Sequence, residues 1–352
     1  MTYIGKISNV VSKWMDGSGP ESEVVISSRI RLARNLNLIP FPQLLADQEA
    51  DKVLNNVRLA INHNQYNEKF SCLKFVLLDE LTPIEKQILV EKHLVSPQFI
   101  YEPKNKAVII NDDQSVSIMI NEEDHLRIQC LLSGLQLDKA CQLSNDIDDA
   151  LDESLDFAFC ENKGYLTACP TNVGTGLRGS VMLHLPVLVM TNQIGYLFAA
   201  ISKLGLVVRG FYGEGTGALG NLFQISNQLT MGPSEEEILN NLTGVTRQII
   251  AIEKAGREKL FKENKYHVED TIYRAFGVLK EARIININET FQLLSEVRLG
   301  VDLGIIKSVT AKTLNELMVM TQSAFLHELA GQNMNSFEME IKRAELIREK
   351  LR

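Results

Sequence analysis

Residues 24–35 have the sequence VVISSRIRLARN, in which apolar residues alternate with polar ones over much of the stretch. A period of two predicts a β-strand, because successive side chains of a strand point to opposite faces. The strand would carry Ser27, Arg29 and Arg31 on one face and Ser28, Ile30 and Leu32 on the other. Two arginines on one face repel each other unless an anion joins them, which favours an anion site. The same pattern is typical of a solvated edge strand whose charges prevent pairing with other chains.

Further short segments of alternating or β-branched residues predict a sheet around this strand. They are residues 73–78, 107–110, 116–120, 126–132, 164–168, 206–210 and 221–227. Short alternating strands, two of them joined by the turn at 111–114, favour an antiparallel sheet. Segments with helical spacing of apolar residues lie among them, at 1–15, 47–62, 83–94, 136–160 and 191–203. The sequence therefore predicts an α+β fold.

The last part of the chain has a different pattern. Ser234 and Glu237 have the spacing of an N-terminal capping box, and the helix that they open is expected to reach about residue 264. From there to residue 352 the sequence is helical and polar, without a strand-like stretch. We therefore divide the chain into an N-terminal helix and linker at 1–23, an α+β domain at 24–254 and an all-helical domain at 255–352.

Composition limits the classes of function that need be considered. The 352 residues are 45% hydrophobic, enough for a sizeable core, and the net charge of −8 argues against nucleic acid as a direct partner. Neither a signal-peptide pattern nor an apolar run long enough for a membrane span is present, so no membrane association is expected. The five cysteines form no CxxC pair and no zinc-ligand spacing. This usage predicts a reduced, cytoplasmic protein without a structural metal.

Residues 169–178, with the sequence CPTNVGTGLR, place a thiol, two glycines and an arginine between a short strand and an apolar run. The glycines would let backbone N–H groups approach an anion closely, and Arg178 would offer a planar, permanently charged fork for phosphate. The alternative is an ordinary turn with a space-filling cysteine.

Gly215, Gly217 and Gly220 match the GxGxxG pattern of dinucleotide-binding loops. That fold requires a helix directly after the glycines, within a βαβ unit. Here the strand-like residues 221–227 follow, so a dinucleotide fold is not predicted.

Charged residues at strand ends and loops form two sets. The arginines are Arg29, Arg31, Arg127, Arg178 and Arg209, which together suit a polyphosphate with Mg²⁺ taking the remaining charge. The second set is Glu122, Glu123, Cys169 and Glu214. Carboxylates in one cleft need a cationic partner, and a substrate guanidinium would meet that need. Because a guanidinium is a poor nucleophile, a carboxylate would have to align it and accept its proton.

Four ordered motifs resemble those of the phosphagen (guanidino) kinases, over about residues 21 to 254. They are Ser-Ser-Arg-x-Arg at 27–31, Asn-Glu-Glu-Asp-His-x-Arg at 121–127, Cys-Pro-Thr-Asn-x-Gly-Thr at 169–175 with Arg178 following, and Arg-Gly-x-x-Gly-Glu at 209–214. The resemblance implies a catalytic domain with an antiparallel sheet flanked by helices. It also implies ATP and Mg²⁺ as cofactors and a guanidinium as the group that is phosphorylated.

The resemblance also implies which residues form the site. The catalytic set is Glu122, Glu123, Cys169 and Glu214, with Glu123 and Glu214 both candidates for the base. The nucleotide set is Ser27, Ser28, Arg29, Ile30, Arg31, His93, Arg127, Arg178, Gly179, Ser180, Val181, Met182, Arg209, Gly210, Phe211, Tyr212, Gly213 and Glu214. From the residues alone, the lone His93 at a predicted helix end is more typical of a surface or capping residue. No protein-held metal is implied.

Within this family the layout resembles that of the bacterial protein-arginine kinases. Members acting on metabolites carry about a hundred helical residues before the first motif, whereas here only some 26 residues precede it and a helical extension follows. The resemblance implies arginine-bearing protein substrates, including a heat-shock repressor. It further implies an activator protein, a Clp ATPase and protease that degrade the marked proteins under stress, and a homodimer.

Two other functions remain open, a kinase of a free guanidino metabolite and an inactive adaptor that binds arginine or phosphoarginine. Regulation is a further question, because the protein-arginine kinases often carry Arg-Asp-x-x-Arg-Ala near the C-terminus as a phosphoarginine-binding site. Here the matching residues 339–344 begin with Met339 instead of arginine. The sequence therefore does not predict allosteric control through that site.

Overall fold

A computed structural model describes residues 11–63, 72–210 and 219–352. Its centre is an eight-stranded sheet in the order β2-β3-β4-β5-β1-β8-β10-β9, with every neighbouring pair antiparallel. The strands are β1 (Val25–Arg34), β2 (Lys74–Leu77), β3 (Ala107–Ile110), β4 (Val116–Ile120), β5 (Leu126–Ser133), β8 (Leu177–His184), β9 (Leu206–Gly210) and β10 (Leu222–Asn227). A separate hairpin joins β6 (Phe159–Cys160) to β7 (Gly164–Tyr165). The predicted antiparallel sheet is confirmed, and β1 lies at its middle rather than at an edge.

Ten α-helices lie within the described residues. They are α1 (Asp47–His63), α2 (Pro83–Glu91), α3 (Leu137–Asp152), α4 (Pro186–Met190), α5 (Ile194–Lys203), α6 (Glu235–Glu281), α7 (Ile287–Asp302), α8 (Ala311–Met320), α9 (Ser323–Ala330) and α10 (Ser336–Lys350). None of them is long and apolar enough to cross a membrane.

The predicted helical C-terminal part of the chain is confirmed, because the described residues after β10 form only α-helices and their connections. We call α7–α10 the helical region.

The two faces of the sheet have different neighbours. Side chains such as Ile30, Leu32 and Val181 join the largest hydrophobic cluster, to which α1, α3 and the first half of α6 also contribute. On the opposite face, Leu131 and Met182 belong to a second cluster built mainly by the helical region. The second face is thus partly covered by the helical region, and its remaining part is the cleft described below.

The helix predicted at 136–160 is shorter than expected, because α3 ends at Asp152. Beyond it the backbone pairs with residues that follow β1: Leu36 forms a bridge with Phe157, and the Ala158 N–H donates to the Asn35 carbonyl at 2.8 Å. This long-range pairing supersedes the local helical periodicity. The strand predicted at 164–168 is also wrong in length, since only Gly164–Tyr165 is extended and paired.

The predicted capping box is confirmed, since the Ser234 hydroxyl accepts from the Glu237 N–H at 3.2 Å and the Glu237 carboxylate accepts from the Ser234 N–H at 2.8 Å. The helix that it opens does not end near residue 264. It continues to Glu281 with a local break at Asn264, where φ is −133° and ψ is 39°. At the N-terminus, Lys13–Asp16 forms one 3₁₀ turn, and residues 1–10 of the predicted helix lie outside the described residues.

Candidate functional site

Five arginines lie on one face of the sheet, on four of its strands. They are Arg127 on β5, Arg29 and Arg31 on β1, Arg178 on β8 and Arg209 on β9. The strand register establishes the shared face, because residues directly opposite each other project to the same side. Arg31 lies opposite Arg178, Ala33 opposite Arg127, and Gln224 opposite both Met182 and Arg209. The sheet therefore gathers the five cations that the sequence scatters over 180 positions.

Two of these cations, Arg29 and Arg31, have no carboxylate within salt-bridge distance among the described residues. Burial, together with the charges of Arg127 and Arg178, lowers the pKa of Arg29 to about 9. Burial and the neighbouring guanidiniums also lower the pKa of Arg31 well below its ordinary value. Arg29 donates to Gln224 at 2.6 Å and to Ser180 at 3.3 Å, both neutral side chains. The buried Nε of Arg31 has no hydrogen-bond partner among the described residues. A bound anion would satisfy these groups.

Among the described residues, the carboxylate of Glu122 pairs within the cleft. Glu122 accepts from Arg127 at 2.6 Å and from the Ser96 hydroxyl at 2.5 Å. Burial by itself would raise the pKa of Glu122, but Arg127 and Ser96 hold it below its ordinary value. Burial likewise opposes the charge on Arg127, whereas Glu122 raises the pKa of that guanidinium above its usual range. Both groups therefore stay charged, and Glu122 fixes the direction of Arg127.

His93 lies just beyond the C-terminus of α2, with a left-handed backbone at φ 60°. Its ring meets Trp14 edge to face, with the centroids 5.7 Å apart. Together with Arg29, Ser180 and Gln224 these two rings line a small cavity on the arginine face. Burial and the charge of Arg29 lower the pKa of His93 to about 3, so the imidazole is neutral at physiological pH. The residue thus terminates a helix and also faces the cleft.

The thiol predicted to meet the substrate lies in a partly exposed loop. Cys169 precedes a 3₁₀ turn at Pro170–Asn172, and its Sγ lies 3.0 Å from the Thr171 hydroxyl. Gly174 has φ 112°, and a Cβ there would come within 2.3 Å of the Thr230 carbonyl oxygen. This glycine is required for close approach of the backbone to Thr230, and its N–H donates to the Tyr165 carbonyl at 3.3 Å. The approach of the loop's N–H groups to an anion stays a prediction.

Asp124, Asn35 and Ala168 join the two loops that carry the predicted catalytic residues, and sequence reasoning gave these three residues no role. The buried Asp124 carboxylate accepts from the Asn35 amide at 2.6 Å and from the Ala168 N–H at 2.7 Å. Asp124 follows Glu123 directly, and Ala168 precedes Cys169. One carboxylate therefore ties the loop of Glu122 and Glu123 to the loop of Cys169. The sequence signal that could have indicated this role was Asp124 itself, the third acid in the motif at residues 121–127.

Trp14 and Gln224 were also missed, although both line the cavity with Arg29. Trp14 is the only tryptophan of the chain, and this rarity was the one hint the sequence offered. Glu123 is half-exposed next to the paired Glu122, and its carbonyl accepts from the Gln43 amide at 3.0 Å.

The predicted nucleotide set divides between the two faces of the sheet. Ser27, Ser180 and Met182 line the cavity with Arg29. Ile30 and Val181 lie in the hydrophobic core, the Ser28 hydroxyl donates to the Gly134 carbonyl at 2.7 Å, and the Gly179 N–H donates to Asn227 at 2.8 Å. Gly210 ends β9 opposite Phe223.

Phe211, Tyr212, Gly213 and Glu214 lie outside the described residues, as do Gly215 and Gly217 of the GxGxxG match. The strand after that match, β10, is antiparallel to both neighbours, which agrees with the absence of a βαβ unit there.

Two family models match the chain. Residues 41–256 match the ATP:guanido phosphotransferase C-terminal catalytic domain, and residues 265–352 match the C-terminal domain of the protein-arginine kinase McsB. Among curated proteins, a protein-arginine kinase of Pelotomaculum thermopropionicum is 53% identical over 99% of this chain and 98% of its own length. Another, from Desulforamulus reducens, is 52% identical over 98% of this chain and 97% of its own length.

Solved structures resemble the chain as well. A lombricine kinase is 25% identical, with a TM-score of 0.60 over 70% of each chain. The duplicated taurocyamine kinase of Schistosoma mansoni, solved with components of a transition state analog, has a TM-score of 0.61 at 24% identity over 68% of this chain and 34% of its own. The second likeness supports the fold alone.

Proposed function

The chain belongs to the ATP:guanido phosphotransferases and, within them, to the protein-arginine kinases, and from that premise we propose how its residues act. Its activity is the ATP-dependent phosphorylation of arginine side chains in proteins. The observation that carries the residue assignment is the row of five arginines on one sheet face, beside the loops of Glu123 and Cys169. The row supplies an anion site, and the loops supply groups for a cationic acceptor.

We assign the nucleotide to the arginine face. Arg29, Arg31, Arg127, Arg178 and Arg209 would surround the phosphates, whose negative charge would balance Arg29 and Arg31, the two without a nearby carboxylate among the described residues. The neutral His93, Ser180 and Met182 would line the far end of the same site. Glu122 would act as a positioning residue, because its carboxylate is committed to Arg127 and Ser96. Such a fixed set of cations stabilises the charge that develops as the phosphoryl group moves.

Mg²⁺ fits this site as part of the nucleotide. Within the described residues no group of three or more His, Cys, Asp or Glu side chains could hold a metal ion. Mg²⁺ prefers phosphate oxygens and water, with few protein carboxylates. The ion would therefore be held by the phosphates, where it neutralises charge on the transferring group.

We assign the acceptor arginine to the side of the cleft where Glu123 and Cys169 lie. Glu123 would hold one edge of the guanidinium in a fork, and a thiolate at Cys169 would provide a second negative contact. Glu214, which is outside the described residues, is the other carboxylate of this set. Because Asp124 ties the two loops together, Glu123 and Cys169 would be presented as one preformed surface.

The transfer step follows from these positions. A carboxylate, Glu123 or Glu214, takes a proton from a terminal nitrogen of the guanidinium. The nitrogen lone pair then forms the N–P bond with the γ-phosphorus, while the bond from that phosphorus to the β,γ-bridging oxygen breaks. ADP leaves with the electron pair of the broken bond, and the proton remains on the carboxylate until solvent removes it.

The partners follow from the family resemblance and are proposals. We propose that the substrates include a heat-shock repressor, that the marked proteins are degraded by a Clp ATPase and protease under stress, and that an activator protein and a homodimeric state support activity. All five cysteines are free thiols, which suits the reducing cytoplasm as the site of action.

The test is mass spectrometry after incubation of the pure protein with Mg²⁺-ATP and an arginine-rich unfolded protein. Handling must avoid acid, because an N–P bond is acid-labile. We expect phosphate on arginine, and at least a 100-fold lower rate for Glu123→Gln, about the size expected for loss of a general base. An unchanged rate for Glu123→Gln would overturn the role of Glu123. Phosphate on added free arginine alone would indicate a metabolite kinase, and no transfer even with an activator-containing lysate fraction would indicate an adaptor.

A further inference from the structure

The three residues Glu91, Lys92 and His93 connect the helical region to the cleft. Glu91 is the last residue of α2, and His93 follows two positions later with its ring in the cavity beside Arg29. Contacts from two different helices of the helical region reach this short segment. Each contact is buried and directional, so each can fix the position of the segment.

The first contact is an N-terminal cap made across the interface. Glu91 is 4% exposed, and its two carboxylate oxygens accept from the N–H groups of Ala324 and Phe325, at 2.9 and 3.1 Å. These are the second and third residues of α9. The residue at the N-cap position of α9, Gln322, instead donates to the Met318 carbonyl at 3.0 Å, so its side chain does not cap the helix. Glu91 therefore supplies the cap that α9 lacks within its own sequence.

The second contact runs through the N-terminal turn. Asn315 of α8 donates to the Met15 carbonyl at 3.2 Å. The adjacent Trp14 donates from its indole nitrogen to the Lys92 carbonyl at 3.2 Å and packs its ring against His93. Trp14 is 1% exposed, so both faces of the indole are enclosed by protein. This chain of contacts therefore ends on the same segment as the first one.

His93 needs such support because of its backbone. A left-handed conformation at a non-glycine residue is unfavourable and persists where surrounding contacts impose it. Besides the contacts above, the His93 carbonyl accepts from the Gln129 amide at 2.8 Å. Leu131 and Met182, which line the cavity with His93, also belong to the hydrophobic cluster of the helical region. One wall of the cavity is thus continuous with that region.

We propose that Glu91, Trp14 and Asn315 are positioning residues through which the helical region sets the affinity of the cleft for Mg·ATP, by holding His93 in place. The inference rests on the nucleotide site proposed above and adds to it the reason why the helical region is joined to the catalytic sheet. When the cap at Glu91 is broken, the His93 segment relaxes, and nucleotide binding has to restore its position. Part of the binding free energy is then lost to that ordering.

The experiment is calorimetric titration of the full-length protein with Mg²⁺ and a non-hydrolysable ATP analogue. Glu91→Gln keeps the size of the side chain but places an amide NH₂ group against the N–H donors of α9. We expect the Kd for the analogue to rise about fivefold or more, at the lower end of measured couplings between sites. KM for ATP should rise in parallel, with kcat changed less than twofold, because among the described residues no hydrogen bond joins this segment to Glu123 or Cys169.

The matched control is Glu253→Gln. Glu253 is also a buried carboxylate that accepts from two backbone N–H groups, those of Val187 and Leu188 at 3.2 and 3.1 Å, and it additionally accepts from Arg257 at 2.9 Å. Among the described residues it has no hydrogen bond to the His93 segment. We expect this variant to lower stability without changing the Kd. Equal effects of both variants on the Kd would show a general loss of structure and overturn the proposal.

A double-variant cycle gives the decisive reading. If Glu91 acts through His93, Glu91→Gln should have no further effect on the Kd in a His93→Gln background. Full additivity of the two effects would overturn the proposal. If Arg31→Met and His93→Gln both leave the Kd unchanged, the nucleotide site itself is misassigned, which is distinct from a failure of the positioning role alone.

Discussion

Two groups of arginines in this molecule differ in how the protein balances their charge. The first group lies where the end of α7 packs against the middle of α6. Arg257 pairs with Glu253 at 2.9 Å and with Asp302 at 3.2 Å, and Arg298 pairs with Asp302 at 3.1 Å. On the sheet face, neither Arg29 nor Arg31 has a carboxylate within salt-bridge distance among the described residues. Arg257 and Arg298 are buried, and Arg29 and Arg31 are partly buried. Cations matched by carboxylates in the interior hold structure together, whereas partly buried cations left unmatched mark the place of a missing anion.

The largest expected effect comes from breaking the matched group. Asp302→Ala leaves the guanidiniums of Arg257 and Arg298 without their shared carboxylate at a side chain that is only 6% exposed. We expect the free energy of unfolding to fall by about 3–5 kcal/mol. Urea unfolding followed by circular dichroism measures it. A loss below about 1 kcal/mol would mean that this network does not stabilise the fold.

The unmatched group should respond in the opposite way. Arg31→Met removes a buried cation that the protein does not neutralise, so we expect the free energy of unfolding to stay within about 1 kcal/mol of the wild-type value or to rise. The kcat/KM for ATP should fall about 100- to 1,000-fold, because a fixed cation at the phosphates is lost. Thermal unfolding and steady-state kinetics of the same preparation test both parts. A strongly destabilised variant with normal kinetics would reverse the comparison.

The lowered pKa of His93, caused by burial and by the charge of Arg29, should appear in the pH dependence of stability. Because burial and Arg29 lower the pKa of His93 to about 3, the folded imidazole stays neutral while the unfolded one binds a proton below about pH 6.5. Native-state stability contributed by this residue is therefore full above about pH 6.5 and is lost as the pH falls toward 3. Each pH unit in that window should cost about 1.4 kcal/mol. His93→Gln should lack this slope, as measured by urea unfolding at about pH 7, 6 and 5, and an identical slope in both proteins would contradict the shift.

The smallest expected effect belongs to a matched pair in solvent. Lys342 and Glu345 are 2.8 Å apart, but their side chains are 35% and 55% exposed. Because water screens both charges, Glu345→Gln should change the free energy of unfolding by about 0.5 kcal/mol or less. Glu345→Gln is the exposed counterpart of Asp302→Ala, and its free energy of unfolding is measured by urea unfolding under the same conditions. A loss similar to that of Asp302→Ala would show that burial is not what separates these pairs.

The sequence predicted those elements whose signals are local. The strand β1 was placed within one residue at each end, because β-branched residues open it and arginines alternate with apolar residues through its middle, which is typical of a strand. The shared side of Arg29 and Arg31 followed from the same alternation. In contrast, the end of α3 depends on the pairing of Leu36 with Phe157, 121 positions apart in the sequence. No local pattern contains that information.

The candidate site shows the same division. Motif residues such as Arg127, Arg178 and Cys169 could be named from the sequence, while the residues that hold them in place could not. Asp124 joins Asn35 to Ala168, and Trp14 meets His93 from 79 residues away. Their roles depend on which strands become neighbours, and strand order was not determined by composition or periodicity.

The central position of β1 has a consequence for synthesis on the ribosome. Its partners are β5 and β8, and β8 ends at His184, about 150 residues after β1 itself. At translation rates of roughly 5–20 residues per second, β1 emerges about 8 to 30 seconds before its second partner is available. Until β8 emerges, at least one edge of β1 lacks its partner, and an unpaired strand edge is prone to associate with other chains. The like charges of Arg29 and Arg31 on two such strands would repel each other, so the arginines that would later bind phosphate would protect the chain before they serve its reaction.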